Sequence, residues 1–287
     1  MVTVKKNELL RRHTTFRIGG PASEFFLPEN ETELASLIDD YPDALILGGG
    51  SNLLISDDGL EKVISMQNLK GYTSEAAAGG KTEVTVLAGQ NLTVFAHMMW
   101  RMFLSGVEFA FGIPGSVGGA VVMNAGAAGG EIKDSLLKVK ILLNGKLEEM
   151  PAEEIGFSYR SSNLPAGAAV LSATFSLTEG DGGEIREKMQ VGFMGRKRSQ
   201  PLELPSAGSV FKNPPGRFAG KIIEELGLKG TAIGGAQVSR RHANFIVNTG
   251  NATADEVYAL MEKIKSAVLE KTGIRLEPEI KTVGSFN

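Results

Sequence analysis

Gly112–Gly130, GIPGSVGGAVVMNAGAAGG, holds seven glycines and four alanines and, apart from Ser116 and Asn124, no polar side chain. A loop stripped in this way lets its backbone N–H groups approach a guest closely, and a pyrophosphate is the usual guest. A tightly packed turn or a glycine-tolerant core strand is the other reading, and composition alone leaves the two level. The stretch fits neither standard phosphate fingerprint: it has no G-x-G-x-x-G and no Gly-Lys-Ser/Thr. A nucleotide bound here is therefore held in neither the Rossmann nor the P-loop manner. Upstream, the apolar strand candidate ALIL (44–47) runs directly into Gly48-Gly49-Gly50-Ser51-Asn52, followed by LLIS. That is a second place where backbone could wrap a ligand, with a glycine-rich hairpin as the alternative.

The totals narrow the class. A chain of 287 residues is long enough for two or three subdomains with sizeable cores. The net charge is −3 with no long basic run, which argues against a nucleic-acid partner. The absence of cysteine excludes disulfides, thiolate zinc sites and cysteine nucleophiles. No apolar run reaches the ~18 residues that a membrane span needs. The opening MVTVKKNELLRRHTTF lacks a signal-peptide core. A soluble cytoplasmic protein, off the membrane, is the expectation.

Along the chain, the polar, basic stretch 7–19 ends at Gly19-Gly20-Pro21. Asn30 and Glu33 predict a helix start, with Leu34, Leu37 and Ile38 on its buried face. KVISM and EVTVLA read as strands, and Thr93–Leu104 reads as a helix closed by Gly106. On that helix His97 is expected to be a satisfied core residue and not a ligand. LLKVKILL (136–143) and AVLSATFSL (169–177) are further strand candidates, separated by the polar loop Phe157–Asn163 with its one arginine. A helix carrying Ile185 and Met189 leads to Arg196-Lys197-Arg198, and with Pro201 and Pro205 this suggests a domain boundary near 195–205. Beyond it, SAGSVFKNP (206–214) is a loop and Phe218–Leu226 a short helix, and His242–Val247 enters a strand. Thr253 and Glu256 form a capping box for a helix over Thr253–Lys271, whose stripe is Val257, Leu260, Met261, Ile264 and Val268. The last segment, LEPEIKTVG, is extended.

Hydrolytic chemistry has no support, since no G-x-S-x-G elbow exists and the three histidines have no serine at a recognisable spacing. No histidine pair, H-E-x-x-H or D-x-D cluster suggests a metal, so none is expected. Two glycine loops and single Arg, Ser and Glu residues in loops remain. That is the profile of an enzyme whose cofactor carries the hard chemistry.

Eight motifs in register sharpen this profile: TTFRIGGPA (14–22), LGGGSNLLISD (47–57), GIPGSVGGAVVMNAGA (112–127), YRSSNLP (159–165), SAGSVFKNP (206–214), GGAQVS (234–239), HANFIVN (242–248) and LEPEI (276–280). In order and over nearly the whole chain, they resemble the UDP-N-acetylenolpyruvoylglucosamine reductase (MurB) family of peptidoglycan synthesis. The resemblance implies an α+β fold: a PCMH-type (vanillyl-alcohol-oxidase-like) FAD-binding module of two subdomains plus a C-terminal α+β substrate-binding subdomain. By analogy the first subdomain is 1–66 with 275–287, the second 67–198 and the third 199–274. It also implies non-covalent FAD, with NADPH as co-substrate. Gly48, Gly49, Gly50, Ser51 and Asn52, with Pro114, Gly115, Ser116, Gly118 and Gly119, would give backbone to the FAD pyrophosphate. Asn124, Ala125 and Gly126 would lie nearer the flavin.

The motifs map the family's catalytic set onto Arg160, Ser209 and Glu279. The implied reaction moves a hydride from NADPH to FAD, then from flavin N5 to C3 of the enolpyruvyl group of UDP-N-acetylglucosamine-enolpyruvate, with a proton to C2. Arg160 would stabilise the charge that develops as an enolate, Ser209 would donate the proton, and Glu279 would hydrogen-bond the intermediate. Lys212 and Asn213 would contact the nucleotide sugar or its diphosphate. Arg240, Arg241 and His242 form a candidate substrate-side loop, with solvated charge as the equal alternative. No Rossmann fingerprint is present, so NADPH and the sugar nucleotide are expected to share one pocket in alternation, on a monomer.

The chain departs from the longer form of the family, because Ser161–Gly208 contains no tyrosine and no insertion. It resembles the shorter class, and the element that closes over the substrate is left open. Ala128 also stands where an aromatic often follows NAGA. Two rivals predict different behaviour. A PCMH-type oxidase often attaches flavin to a histidine near the first glycine loop, and Gly48–Asn52 contains none. A non-catalytic nucleotide-sugar binding module would tolerate loss of Arg160, Ser209 and Glu279 without a chemical phenotype.

Overall fold

A computed structural model describes residues 2–286. The chain forms two compact units. The first comprises the residues up to Lys5, Phe25–Gly49 and Lys62–Gly195; the second comprises Lys6–Glu24, Gly50–Glu61 and the chain from Arg196 onward.

The first unit is built on a six-stranded sheet. Its path runs Lys146–Pro151, Leu136–Leu143, Ala169–Glu179, Lys81–Leu87 and Tyr72–Ala77, with the short strand Leu104–Ser105 paired to the far end of Ala169–Glu179. All of these pairings are antiparallel. The expected alternation is present in Lys81–Leu87, where Val84 and Val86 are fully buried. The helix Leu92–Arg101 packs Phe95 on Phe175 of the central strand, ring centroids 5.2 Å apart. Burial of such a side chain stabilises by about 1.5–3 kcal/mol. Leu45–Leu47 runs parallel to Val63–Ser65, and Glu31–Asp40 is helical.

Several local expectations change. The helix starts at Leu92, with Asn91 accepting from Val94 N–H, and ends at Arg101, before the expected Leu104. Gly106 does not close it. The Met102 N–H bonds back to Met98 and Met99, and Phe103 turns to a left-handed φ of 58°, which frees Leu104 and Ser105 for the sheet. His97 is exposed on the outer face, edge-on to Trp100, and is not a core residue. Lys146–Pro151 is a strand beyond those the sequence predicts. It comes after Asn144-Gly145, both at positive φ (50° and 72°), the conformation that a two-residue hairpin turn requires.

In the second unit, Ala232–Ile233, Ala236–Val238 and Ile246–Asn248 form a three-stranded antiparallel sheet. The long helix Ala254–Thr272 packs on it through Val257, Leu260, Met261, Ile264 and Val268, all buried. Thr253 and Glu256 form the expected capping box, and the Asp57 carboxylate accepts from the Ala254 N–H at 2.5 Å, placing negative charge at the helix N-terminus. The final extended segment pairs Lys281–Val283 in parallel with Leu53–Ile55.

Candidate active site

In the first unit Gly48 and Gly49 run backbone against backbone with the second glycine stretch. A Cβ added at Gly49 would fall 2.5 Å from Gly115 Cα and 2.8 Å from Ser116 N, and one at Gly48 would fall 2.5 Å from Ser116 Oγ. Only glycine allows that approach. Much of the donor capacity of the second stretch is engaged by the fold itself. Val117 N–H donates to Gln90 O and Gly118 N–H to Ala88 O, each at 2.9 Å. Ser116, itself buried, takes the Gly119 N–H on its hydroxyl at 3.3 Å and starts a six-residue helix, Val117–Val122. Gly49, Pro114 and Gly119 are exposed. The rim they form offers backbone and no long side chain, which fits the diphosphate of a flavin dinucleotide.

Further along, Asn124 is fully buried at a φ of 41°. Its Nδ2 donates to Glu131 Oε2 at 2.8 Å and to Ser158 O at 3.1 Å, and its Oδ1 accepts the Lys133 N–H at 3.1 Å. Ala125 O accepts from Ile132 N–H, and Gly126 pairs with Glu131. Arg160 sits in a turn closed by reciprocal backbone bonds between Ser158 and Ser161. Its Nη2 donates to Gly126 O at 2.8 Å, and its guanidinium lies 5.3 Å from the Tyr159 ring centroid. Asn124, Gly126 and Arg160, named separately from sequence, are thus parts of one hydrogen-bonded assembly.

In the second unit a similar convergence joins Ser209 and Glu279. The Glu279 N–H donates to Val210 O at 2.7 Å, the Lys212 N–H donates to Glu277 O at 2.8 Å, and Phe211 bridges Pro278. The serine motif and the LEPEI segment therefore lie side by side, with both Ser209 and Glu279 partly exposed. Two asparagines lock this pairing. Asn52 donates from Nδ2 to Glu279 O at 3.0 Å and accepts the Lys281 N–H on its backbone. Buried Asn244 takes both backbone groups of Phe211, accepting its N–H at 3.0 Å and donating to its carbonyl at 2.8 Å. Gly50 and Ser51 complete the first loop here, and Gly50, at a φ of 60°, accepts from Thr15 N–H.

Lys212 is ion-paired with Glu277 at 2.5 Å, and exposed Asn213 accepts the Ala219 N–H at the start of the helix Ala219–Glu225. In the candidate substrate-side loop, Arg241 is tied to the Gln200 carbonyl and the Glu203 carboxylate. Burial, with Lys229 nearby, lowers the His242 imidazole below its ordinary value, and its Nδ1 accepts the Asn244 N–H. In the first unit burial alone would raise the Glu108 carboxyl. Hydrogen bonds from Ser105 Oγ and Gly106 N–H, with Lys188 nearby, outweigh burial and lower it. Among the described residues, no group of three or more His, Asp or Glu side chains could hold a metal ion, and no helix is long and apolar enough to cross a membrane.

Comparison with known proteins gives this arrangement a lineage. Residues 22–150 match the FAD binding domain family, and residues 200–283 match the C-terminal domain of UDP-N-acetylenolpyruvoylglucosamine reductase. A UDP-N-acetylenolpyruvoylglucosamine reductase of Lachnoclostridium phytofermentans is 45% identical over 287 residues, covering 97% of this chain and 92% of that one. One from Caldanaerobacter subterraneus subsp. tengcongensis is 46% identical over 285 residues, covering 97% and 93%. The chain belongs to the UDP-N-acetylenolpyruvoylglucosamine reductase family. The crystal structure of UDP-N-acetylenolpyruvylglucosamine reductase (MurB) from Thermus caldophilus superposes with a TM-score of 0.83 at 38% identity, over 99% of this chain and 100% of that one. As a member of the reductase family the protein is an FAD-dependent oxidoreductase, with the α+β, PCMH-type FAD-binding fold that its motifs implied. Sequence reasoning did not single out Asn244, Glu131 or Ser158. Asn244 stands inside the quoted HANFIVN motif, but its partner Phe211 is 33 residues away.

Proposed function

We propose that this reductase-family member converts UDP-N-acetylglucosamine-enolpyruvate to UDP-N-acetylmuramate for peptidoglycan precursor synthesis, using NADPH. Bound FAD would supply the hydride carrier, reduced by NADPH and delivering from N5 to C3 of the enolpyruvyl group. Gly48–Asn52 and Pro114–Gly119 are proposed to border its diphosphate. The Gly115 and Ser116 N–H groups then have the leading part, since those of Val117, Gly118 and Gly119 already have protein acceptors. Ala125 and Gly126 are proposed to lie nearer the flavin ring.

Once the hydride has reached C3, the chain's own residues complete the reaction. Negative charge develops at C2 and spreads into the carboxylate as an enolate. Arg160, a fixed cation with a planar fork of donors, suits that charge, and preorganised donors of this kind commonly contribute ~3–4 kcal/mol. Ser209 delivers the proton to C2. A hydroxyl is a weak acid, and only a strongly basic carbanion or enolate makes the transfer reasonable. Glu279 holds the intermediate by hydrogen bonding, a role that a protonated carboxyl fills best. The observation that supports the reading is the backbone pairing of Val210–Lys212 with Glu277–Glu279, with Ser209 and Glu279 on these neighbouring segments.

Lys212 and Asn213 are proposed substrate contacts, with Lys212 exchanging Glu277 for the sugar nucleotide. NADPH and the sugar nucleotide are proposed to bind in turn at one pocket, on a cytoplasmic monomer. The three-part division 1–66 with 275–287, 67–198 and 199–274 is kept as the proposed functional partition. The test is Ser209→Ala. Flavin reduction by NADPH is expected to stay within about twofold, while reoxidation by the enolpyruvyl substrate slows by about a hundredfold or more. If both half-reactions survive the change, Ser209 is not the proton donor.

A further inference from the structure

We propose that Asn124 is a positioning residue whose side-chain amide holds the Ser158–Ser161 turn, and through it the Arg160 guanidinium, instead of contacting the cofactor. The proposal rests on the role assigned to Arg160 under the proposed function. Three observations carry it.

Asn124 has no solvent exposure, and its amide is fully engaged by protein. An amide has two N–H donors, and both have acceptors here, in Glu131 Oε2 and Ser158 O. The Lys133 N–H donates to the carbonyl oxygen. Glu131 is itself held by Lys133 Nζ on its other oxygen at 2.6 Å, which fixes the amide's orientation. No donor on this side chain is left over for a flavin or a phosphate.

The turn that Asn124 grips carries strain at Arg160, whose φ is 55°. Side chains other than glycine rarely adopt that region, and such a conformation persists only where the surroundings over-determine it. The surroundings do so here. Ser158 and Ser161 exchange backbone bonds at 3.0 and 3.2 Å. Ser162 Oγ donates to Val122 O at 2.8 Å, Asn124 holds Ser158 O, and Arg160 Nη2 donates to Gly126 O at 2.8 Å. Alternate residues of the glycine-rich stretch, 122, 124 and 126, thus hold residues 162, 158 and 160. Asn124 is the one contact of the three made by a glycine-stretch side chain, so it is the one that a substitution within that stretch removes. Without it the turn relaxes toward an ordinary φ and carries the guanidinium off Gly126 O.

The experiment uses the FAD-loaded enzyme with two variants. Asn124→Gly keeps the positive φ and removes the side chain. Asn124→Asp combined with Glu131→Gln keeps the side-chain volume, the total charge, the 124–131 hydrogen bond with its polarity reversed, and the acceptor for Lys133 N–H. It replaces the donor to Ser158 O with an acceptor and reduces the ion pair of residue 131 with Lys133 to a hydrogen bond, so it serves where Asn124→Gly does not fold. Both are expected to bind FAD within about threefold of wild type and to accept electrons from NADPH at a similar rate. Reoxidation of reduced flavin by the enolpyruvyl substrate should slow about tenfold or more, the size of effect that misplacing a reacting group produces. Combining Asn124→Gly with Arg160→Ala should slow reoxidation no further than Arg160→Ala alone. Weakened FAD affinity with unchanged reoxidation would overturn the proposal and make Asn124 a cofactor contact. Wild-type reoxidation in the double variant, Asn124→Asp with Glu131→Gln, would overturn it as well. If Arg160→Ala itself reoxidises at the wild-type rate, the assignment of Arg160 fails instead, a distinguishable result.

Discussion

Replacing Gly49 by Ala tests the meeting of the two glycine stretches. The new Cβ would stand 2.5 Å from Gly115 Cα, 2.7 Å from Gly115 C and 2.8 Å from Ser116 N. All three are backbone atoms, so no flexible side chain can swing away. Reaching the 3.4 Å at which contact becomes ordinary means moving one loop about 0.9 Å from the other. Overpacking of this kind costs typically about 1–3 kcal/mol. A displacement near 1 Å in a binding site can also cost about a hundredfold in the function it supports. The Gly49→Ala protein is therefore expected to unfold at lower denaturant and to bind FAD at least about tenfold more weakly, as read by flavin fluorescence titration of the apoprotein. Gly195→Ala is the control. It lies in the helix Gly182–Ser199, has nothing within 4 Å of an added Cβ and is not at positive φ. Its effect should be neutral or stabilising by up to about 1 kcal/mol, with FAD affinity unchanged. Unchanged stability and FAD affinity in Gly49→Ala would refute the close approach of the two loops.

Three further outcomes are expected. Ser135 Oγ is buried with no hydrogen-bond partner among the described residues, so Ser135→Ala should raise stability by about 1 kcal/mol in urea unfolding; a loss of stability would show that the hydroxyl is satisfied in solution. Glu108, whose folded carboxyl is lowered from its ordinary 4.5, stabilises the fold above about pH 4.5 and loses that contribution as pH falls through its depressed folded value. Glu108→Gln should therefore flatten the acid limb of the stability–pH curve, and an unchanged limb contradicts the assignment. His242 is lowered from 6.5 by burial, so the unfolded chain takes up its proton first as pH falls. Stability from this group is complete above about pH 6.5 and declines below it. His242→Gln should reduce the difference in urea midpoint between about pH 7.5 and about pH 5.5, and an equal difference would place the titration elsewhere.

Local grammar made much of the fold legible. Asn30 and Thr253 cap the helices they announce, and the buried stripe of the last long helix is the one its periodicity predicts. Misreadings arose where a local preference met a longer-range partner. The helix Leu92–Arg101 stops early because Phe103 adopts a left-handed φ and Leu104–Ser105 joins the sheet, which no period in the sequence marks. His97 shares a helix with buried Phe95, Ala96 and Met99 yet points outward, because neighbouring positions on a helix face different ways. The strand Lys146–Pro151 is largely exposed and carries no apolar alternation, although Asn144-Gly145 is a turn signal that sequence alone displays.

The candidate site divides along similar lines. Motif resemblance pointed to Arg160, Ser209 and Glu279, and the composition of Gly112–Gly130 pointed to close backbone approach. Motif resemblance also named Asn52 and Asn124, but the hydrogen bonds by which they organise these residues could not be read from sequence. Asn52 reaches Glu279 across 227 positions and Asn124 reaches Ser158 across 34, and a hydrogen bond between remote segments leaves no local pattern. Nor did composition reveal that the N–H groups of Val117 and Gly118 would be taken up by Gln90 and Ala88.

The most direct test of the proposed reaction is an anaerobic visible spectrum of the purified enzyme, recorded through addition of NADPH and then UDP-N-acetylglucosamine-enolpyruvate. The expected result is a yellow protein that bleaches with NADPH and regains its colour on adding the enolpyruvyl sugar, with one sugar consumed per flavin reoxidised. A flavin that bleaches and recovers only with oxygen would contradict the proposed substrate.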